Sequence, residues 1–156
     1  MKTETISTFF FDFESDFVES LRCIPMIVRY KLDSCGIKLK LPEWVKITVE
    51  EKTQLAYLPC YSVQEVDQYG EFVNKLVWKY ANHEASPLAS VDDSWNNLDE
   101  VPMEILEKSK EWNCPALTTK QWIELATLQR FALVKLSRSG HEGKNFPSAF
   151  REFGLI

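Results

Sequence analysis

The sequence predicts an all-α fold, in the form of a compact single-domain helical bundle, and three observations indicate it. Apolar residues recur at i, i+3 and i+4 spacing over segments of several turns. Three of these segments begin with a capping-box signature, a hydroxyl residue followed three positions later by Glu or Gln. Only one short run, residues 37–41, alternates with the period of a strand, and for want of a convincing partner strand it is predicted to be a packed loop.

The first helices follow from local signals near the N-terminus. The aromatic run at residues 9–13 is expected to lie against the domain, because so many rings would not stay free in water. A short helix is predicted over residues 16–22. The next helix is predicted to begin at Pro25, whose missing N–H costs nothing in a first turn, and to end before Gly36, which has the typical place of a glycine just past a helix.

The later helices follow from capping boxes and apolar stripes. The longest predicted helix covers residues 62–82, and further helices are predicted at 102–112, 119–138 and 146–153. The polar segment 83–97 is predicted to be a connecting loop. The three capping boxes are Thr48 with Glu51, Ser62 with Glu65, and Thr118 with Gln121.

The predicted domain organisation is a flexible tail at residues 1–8 followed by one helical domain at 9–156. A few patterns recur at an offset of 77 or 78 residues, which leaves a second arrangement open: two pseudo-symmetric three-helix halves, 24–78 and 101–156, connected by 83–97. Such halves would pack face to face, because a unit that small buries too little surface alone. The recurring positions are Pro25 and Pro102, Trp44 and Trp122, and Lys52 and Arg130.

Composition excludes several classes of function. The net charge of −5 argues against general binding of nucleic acids or anionic membranes. No apolar run approaches 18 residues, and the N-terminus lacks the apolar core of a signal peptide, so a cytoplasmic location is expected. The four cysteines would then be reduced, and no C-x-x-C spacing indicates a zinc ribbon.

The sequence contains no recognisable catalytic constellation. The two histidines, His83 and His141, fall in loop-like segments without a nearby cysteine nucleophile or a His-x3-His pair. Phosphate-binding and nucleophile motifs rich in glycine are also missing. An enzyme is therefore not predicted, and no catalytic residue is assigned.

The three cysteines of the N-terminal half are the candidate metal ligands. Cys23, Cys35 and Cys60 could act as thiolate ligands for an iron–sulfur cluster or another soft metal. The sequence favours a different interpretation, in which they are small buried hydrophobic residues, with a redox-sensing thiol as a further alternative. No metal site is therefore predicted.

The basic residues around the first two cysteines are the candidate cofactor-binding set. They could hold a phosphate or pyrophosphate group through charge-assisted hydrogen bonds. The favoured alternative is intramolecular pairing, because four acidic residues lie close by in the sequence. The basic residues are Arg22, Arg29, Lys31 and Lys38, and the acidic ones are Asp12, Glu14, Asp16 and Glu19.

Three blocks in order carry a resemblance to a known family. The string SLRCIPM-x-VR-x-KLD-x-CGIKL-x-L begins at Ser20 and is followed by Trp44 and by the triplet Leu58-Pro59-Cys60. This arrangement resembles the cyanobacterial nitrate-reductase-associated protein family. The resemblance is close over residues 9–80 and general in the remainder.

The resemblance implies a non-catalytic accessory protein for the maturation or assembly of assimilatory nitrate reductase. Such a protein would bind the reductase apoprotein in the cytoplasm while the molybdenum cofactor or iron–sulfur cluster is inserted. One alternative is a carrier that binds the molybdenum cofactor or an iron–sulfur cluster directly, through the basic set or the cysteines. Another is a regulatory scaffold of nitrogen assimilation.

Overall fold

The computed structural model describes residues 10–15, 21–90, 92–139 and 144–156. These residues form eight α-helices, two short 3-10 helices and one two-stranded sheet, so the predicted all-α class is confirmed. None of the helices in these ranges combines the length and the hydropathy needed to cross a bilayer. The predicted tail, most of the helix predicted at 16–22, and His141 lie outside the described residues.

The chain divides into two compact units, Met1–Val91 and Asp92–Ile156. Among the described residues of the first unit, the first element is a 3-10 helix at Asp12–Glu14. Its α-helices are α1 (Met26–Ser34), α2 (Leu41–Trp44), α3 (Val49–Tyr57) and α4 (Val63–Ala81), and its strands are β1 (Ile37–Lys38) and β2 (Ser86–Pro87).

Helix α1 begins and ends where the sequence predicts. Pro25 is its N-cap, and Gly36 follows the last turn with φ +71°, a conformation that glycine adopts without strain. The buried carboxylate of Glu14 accepts the N–H of Met26 at 2.8 Å and that of Phe11 at 3.0 Å. Glu14 thereby caps α1 from a separate segment and places negative charge at the helix N-terminus, where it is stabilising.

The prediction of a packed loop at residues 37–41 is wrong for its first two residues. Ile37 pairs with Pro87 in an antiparallel register, and the ladder is extended by the N–H of Leu88, which donates to Gly36 O at 2.9 Å. The partner strand comes from the segment predicted as a loop. Leu41, at the other end of the run, begins α2.

Helices α3 and α4 are tied together by one carboxylate. Both begin at the predicted capping boxes. Glu51 of α3 accepts bonds from the Lys79 ammonium at 2.8 Å and the Tyr80 hydroxyl at 2.7 Å, both near the end of α4. Although burial opposes it, these bonds together with those from Thr48 lower the pKa of Glu51 to about 2.

The second unit contains a 3-10 helix at Ser94–Asn96 and four α-helices. They are α5 (Met103–Glu111), α6 (Thr119–Glu124), α7 (Thr127–Arg138) and α8 (Asn145–Glu152).

The predicted continuous helix at 119–138 is wrong, because the chain is extended at Leu125 and Ala126. The side chain of Gln129 accepts the N–H of Ala126 at 2.9 Å and starts α7 there. The guanidinium of Arg130 donates to Leu125 O and, at 2.7 Å, to Trp95 O. The bond to Leu125 O satisfies a carbonyl group that the break exposes, and the bond to Trp95 O connects α7 to the 3-10 helix at Ser94–Asn96.

Each unit contains a buried tryptophan beneath a buried cation. The Trp44 indole N–H donates to Leu21 O at 2.7 Å, and the Lys52 ammonium lies 5.1 Å from the ring centroid. In the second unit the Trp122 indole N–H donates to a backbone carbonyl at 2.8 Å, and the Arg130 guanidinium lies 5.9 Å from the ring. Both rings are fully buried, as expected for core anchors.

Helices α1 and α5 are likewise alike, since each has nine residues and each follows a proline. The two similar halves at 24–78 and 101–156 stay a prediction.

Candidate functional site

The candidate cysteines are thiols held in apolar surroundings. Cys60 is buried, and Cys23 and Cys35 are half-buried. Burial, and next the nearby Cys60, raise the pKa of the Cys35 thiol to about 12. Burial raises the pKa of Cys60 to about 11, although the Lys31 ammonium opposes the rise. Both thiols are therefore protonated at neutral pH in this structure.

Within the part of the chain that the structure describes, no group of three or more His, Cys, Asp or Glu side chains could hold a metal ion.

The structure does not gather the four candidate basic residues into one exposed patch. Arg22 and Lys38 lie at the surface, and the half-buried Arg29 donates from Nε to Ile24 O at 3.1 Å. Lys31 lies inside the first unit with only 1% of its surface exposed. The four residues therefore do not share one exposed surface, and their binding of a phosphate or pyrophosphate group stays a prediction.

Lys31 is the centre of a polar site at the C-terminal end of α3. Its ammonium donates to the carbonyl oxygens of Ala56 at 2.7 Å and Leu58 at 2.6 Å. The last carbonyl groups of a helix lack partners within the helix and attract positive charge, so a buried ammonium is well placed there. Burial nevertheless lowers the pKa of Lys31 to about 8, an effect that Cys60 partly offsets.

Two further side chains complete this site. The hydroxyl of Tyr69 on α4 donates to Leu55 O at 2.7 Å. The Cys60 thiol donates to Lys31 O at 3.6 Å. Donors from α1 and from α4 therefore hold the backbone at the end of α3, and the Cys60 thiol connects the chain after α3 to α1. Together these bonds fix the direction in which the chain leaves α3.

The chain that leaves α3 presents apolar side chains to solvent. We refer to Tyr57, Leu58, Tyr61 and Val63 as the exposed turn. Tyr61 is 64% exposed and Val63 is 82% exposed, whereas Cys60 between them is buried. Apolar side chains that are exposed together and held by a rigid framework are typical of a protein-binding surface.

Sequence reasoning missed the role of Lys31, which it counted among the anion-binding candidates. A signal was available. Lys31 lies four residues after Ile27 and three after Val28, so helical spacing places it on the buried face of α1. A lysine on such a face needs internal acceptors, and the unpaired carbonyl groups of another helix end are the nearest kind.

Two tryptophans and a histidine in or near the predicted loop 83–97 differ in their exposure and contacts. Trp95 is buried, and its ring makes an edge contact with that of Phe131 at 4.8 Å between the centroids, while Trp78 is half-exposed. His83 contacts the buried carboxylate of Glu43, with 3.4 Å between Nε2 and Oε2.

Comparison with known proteins gives one match. The family model described as conserved nitrate reductase-associated protein matches residues 10–153. No curated protein and no solved structure matches the chain. The matched range contains the motif blocks, the Lys31 site and the exposed turn. Because the match covers most of its length, this chain belongs to the conserved nitrate reductase-associated protein family.

Proposed function

We propose that this protein is a non-catalytic accessory to assimilatory nitrate reductase. It binds the reductase apoprotein in the cytoplasm during maturation, while the molybdenum cofactor or iron–sulfur cluster is inserted. Membership of the family supports the association with nitrate reductase. The observation that carries the binding mode is the exposed turn, which is apolar, accessible and held by buried polar bonds.

A rigid apolar turn is suited to binding because little conformational freedom is lost when a partner covers it. Tyr57 and Tyr61 supply large rings with only two side-chain torsions each, and tyrosine is common among the residues that dominate binding energy. Since Lys31 fixes the backbone of α3 up to Leu58, the turn is already formed before a partner arrives.

A binding experiment with matched variants tests the proposal. Tagged wild-type protein is expected to retain purified nitrate reductase apoprotein, and the double substitution Tyr61→Ser and Val63→Ser is expected to weaken this binding at least about tenfold. Leu41→Ser with Val45→Ser is the control, because these residues are exposed to a similar extent elsewhere in the first unit. Equal losses from both pairs would contradict the assignment of the turn.

A deletion strain tests the function itself. Cells that lack this protein are expected to grow poorly on nitrate and to contain inactive reductase. Full nitrate-reductase activity in that strain would rule out an accessory role.

A further inference from the structure

The carboxylate of Glu43 in α2 is buried and only one of its oxygens is satisfied. Its Oε1 accepts the N–H of Lys40 at 2.9 Å. Its Oε2 is also buried and accepts no hydrogen bond from the described residues, and only 8% of the side chain is exposed. A buried carboxylate oxygen without a partner is unfavourable, because it has lost its water without gaining a donor.

The equivalent carboxylate of α3 shows which kind of group such an oxygen attracts. Glu51 also accepts a backbone N–H through Oε1, that of Thr48 at 3.1 Å. Its other oxygen accepts a bond from the Lys79 ammonium at 2.8 Å. In the same place Glu43 has the imidazole of His83, with 3.4 Å between Oε2 and Nε2. Glu43 therefore faces a ring nitrogen that can be either a donor or an acceptor.

The backbone determines which nitrogen of His83 donates. Nδ1 lies 2.8 Å from Glu84 O, and a carbonyl oxygen only accepts hydrogen bonds, so Nδ1 carries a proton. In a neutral ring Nε2 then has a lone pair, and it attracts the Glu43 oxygen only if a cation lies between the two atoms. A bond from Nδ1 to a backbone carbonyl is also the usual arrangement of a histidine that binds a metal ion through Nε2.

The distance between Nε2 and Oε2 distinguishes a proton from a metal ion. A charge-assisted N–H···O bond is about 2.7–2.9 Å long, shorter than the 3.4 Å observed. Zinc binds imidazole nitrogen at about 2.0–2.1 Å and carboxylate oxygen at about 2.0–2.2 Å, in tetrahedral geometry. Two ligands of such an ion are therefore about 3.3–3.5 Å apart. The observed distance is that expected for two ligands of one metal ion.

We propose that Glu43 and His83 bind a divalent metal ion of the zinc class, through Oε2 and Nε2. One nitrogen and one oxygen ligand suit such ions, whereas magnesium prefers oxygen ligands alone. About half of the His83 side chain is exposed, so water can occupy the remaining positions. The ion connects α2 to the chain after α4. Since three protein ligands are usual in catalytic zinc sites and this site has two, its affinity is modest.

A titration of the full chain, without an affinity tag, tests the site with zinc chloride alone. The chain is labelled with ¹⁵N, its thiols are kept reduced, and the ring nitrogens of His83 are followed by NMR. The signal of Nε2 is expected to move on addition of zinc and to stop moving at one ion per chain. Magnesium chloride at the same concentration is expected to have no effect. An unchanged signal would mean an ion pair only and would overturn the proposal, as would equal changes with both metals.

Matched variants identify the ligands, with isothermal titration calorimetry as the measurement. Glu43→Gln keeps the size of the side chain and an acceptor for the N–H of Lys40, while His83→Gln removes the imidazole. Each is expected to weaken zinc binding at least about tenfold. Glu50→Gln, which removes an exposed charge elsewhere in the first unit, is expected to bind zinc as wild type does. Undiminished binding by Glu43→Gln or by His83→Gln would refute the assignment.

The melting temperature gives a second readout and also checks that the variants fold. A ligand that binds the folded chain raises its melting temperature. Zinc is expected to raise that of wild type and Glu50→Gln more than that of the two ligand variants, each of which is expected to melt in one cooperative transition. Equal effects on all four proteins would place the zinc elsewhere and overturn the proposal. Neither readout involves nitrate reductase, so this site and the proposed function can fail independently.

Discussion

Replacement of Lys31 by Met tests the argument that its ammonium holds the exposed turn. Met keeps the approximate length of the side chain and removes the donor to the carbonyl oxygens of Ala56 and Leu58. A hydrogen bond to a charged group contributes about 1.5–3 kcal/mol, so the two contribute about 3–6 kcal/mol. Against this, burial lowers the pKa of Lys31 from 10.5 to about 8, which corresponds to about 3 kcal/mol for burying the charge. The balance is a loss of up to about 3 kcal/mol, and we expect Lys31→Met to lower the free energy of unfolding by about 2 kcal/mol.

Chemical denaturation at pH 7, followed by tryptophan fluorescence, measures this loss. Lys52→Met is the matched control. Lys52 is also buried and burial lowers its pKa, but its ammonium lies over the Trp44 ring, and no carbonyl oxygen in the described ranges accepts a bond from it. We expect the control to change the free energy of unfolding by less than about 1 kcal/mol. Equal losses from the two substitutions would refute the role assigned to the Lys31 bonds.

The pH dependence gives a second check on Lys31. Its pKa in the folded protein, about 8, lies below the unfolded value of 10.5, so the unfolded chain binds more protons between these two values. Wild-type protein should therefore gain stability relative to Lys31→Met as the pH rises from about 8 to 10.5. Comparison of the two proteins cancels much of the opposite effect of the cysteines, whose raised pKa values lower stability at high pH. A difference that stays flat or falls across this window would refute the argument.

Four further substitutions test other parts of the structure. Trp44→Ala and Trp122→Ala should each lower the free energy of unfolding by about 3–5 kcal/mol, since both rings are fully buried. Near-wild-type melting with lost partner binding would show instead that they are interface residues. Glu51→Gln should lower the free energy of unfolding by about 1–2 kcal/mol at pH 7, measured by chemical denaturation. The loss should disappear as the pH falls from about 4.5 to 2, because the carboxylate of Glu51 stabilises the folded protein only while it is charged. A loss that persists at pH 2 would contradict this. Gly70→Ala should raise the free energy of unfolding by up to about 1 kcal/mol, because a methyl group at this position in α4 would meet its neighbours at ordinary contact distances. A lower melting temperature would show that the glycine is needed for packing.

Local signals in the sequence were sufficient for the helix starts. Thr48, Ser62 and Thr118 begin helices because the atoms that satisfy the first N–H groups lie within three residues. The end of α1 at Gly36 was likewise local. Such features depend only on residues that are close together along the chain, so they can be predicted from a single sequence.

Features that depend on distant residues could not be predicted. The break at Leu125 is held by Arg130, whose other acceptor, Trp95 O, lies 35 positions away in the sequence. The strand Ile37–Lys38 needs its partner Ser86–Pro87, which lies in the chain after α4. Neither partner is marked by a sequence pattern, because backbone carbonyl and N–H groups are the same in every residue.

The candidate site shows the same limit. Lys31 was predicted from the sequence as a candidate for binding a phosphate group. Its actual acceptors, Ala56 O and Leu58 O, lie 25 and 27 positions away along the chain. The exposure of Tyr61 and Val63 likewise depends on the tertiary structure, because both are residue types that are often buried. The motif resemblance located the right stretch of chain, whereas the geometry was needed to show which side chains are accessible.

The carboxylate of Glu14 couples the stability of two segments that are separate in the sequence, the 3-10 helix at Asp12–Glu14 and α1. A protein shortened to begin after residue 14 would keep every residue of α1 and yet lose the acceptor of its first amide hydrogen. The initial turn of that helix would then unravel more readily and exchange its amide protons faster with solvent. Since Lys31 lies on the same helix, we expect the loss of order in α1 to extend to the exposed turn. A truncation at the N-terminus should therefore also weaken the proposed binding of the partner protein.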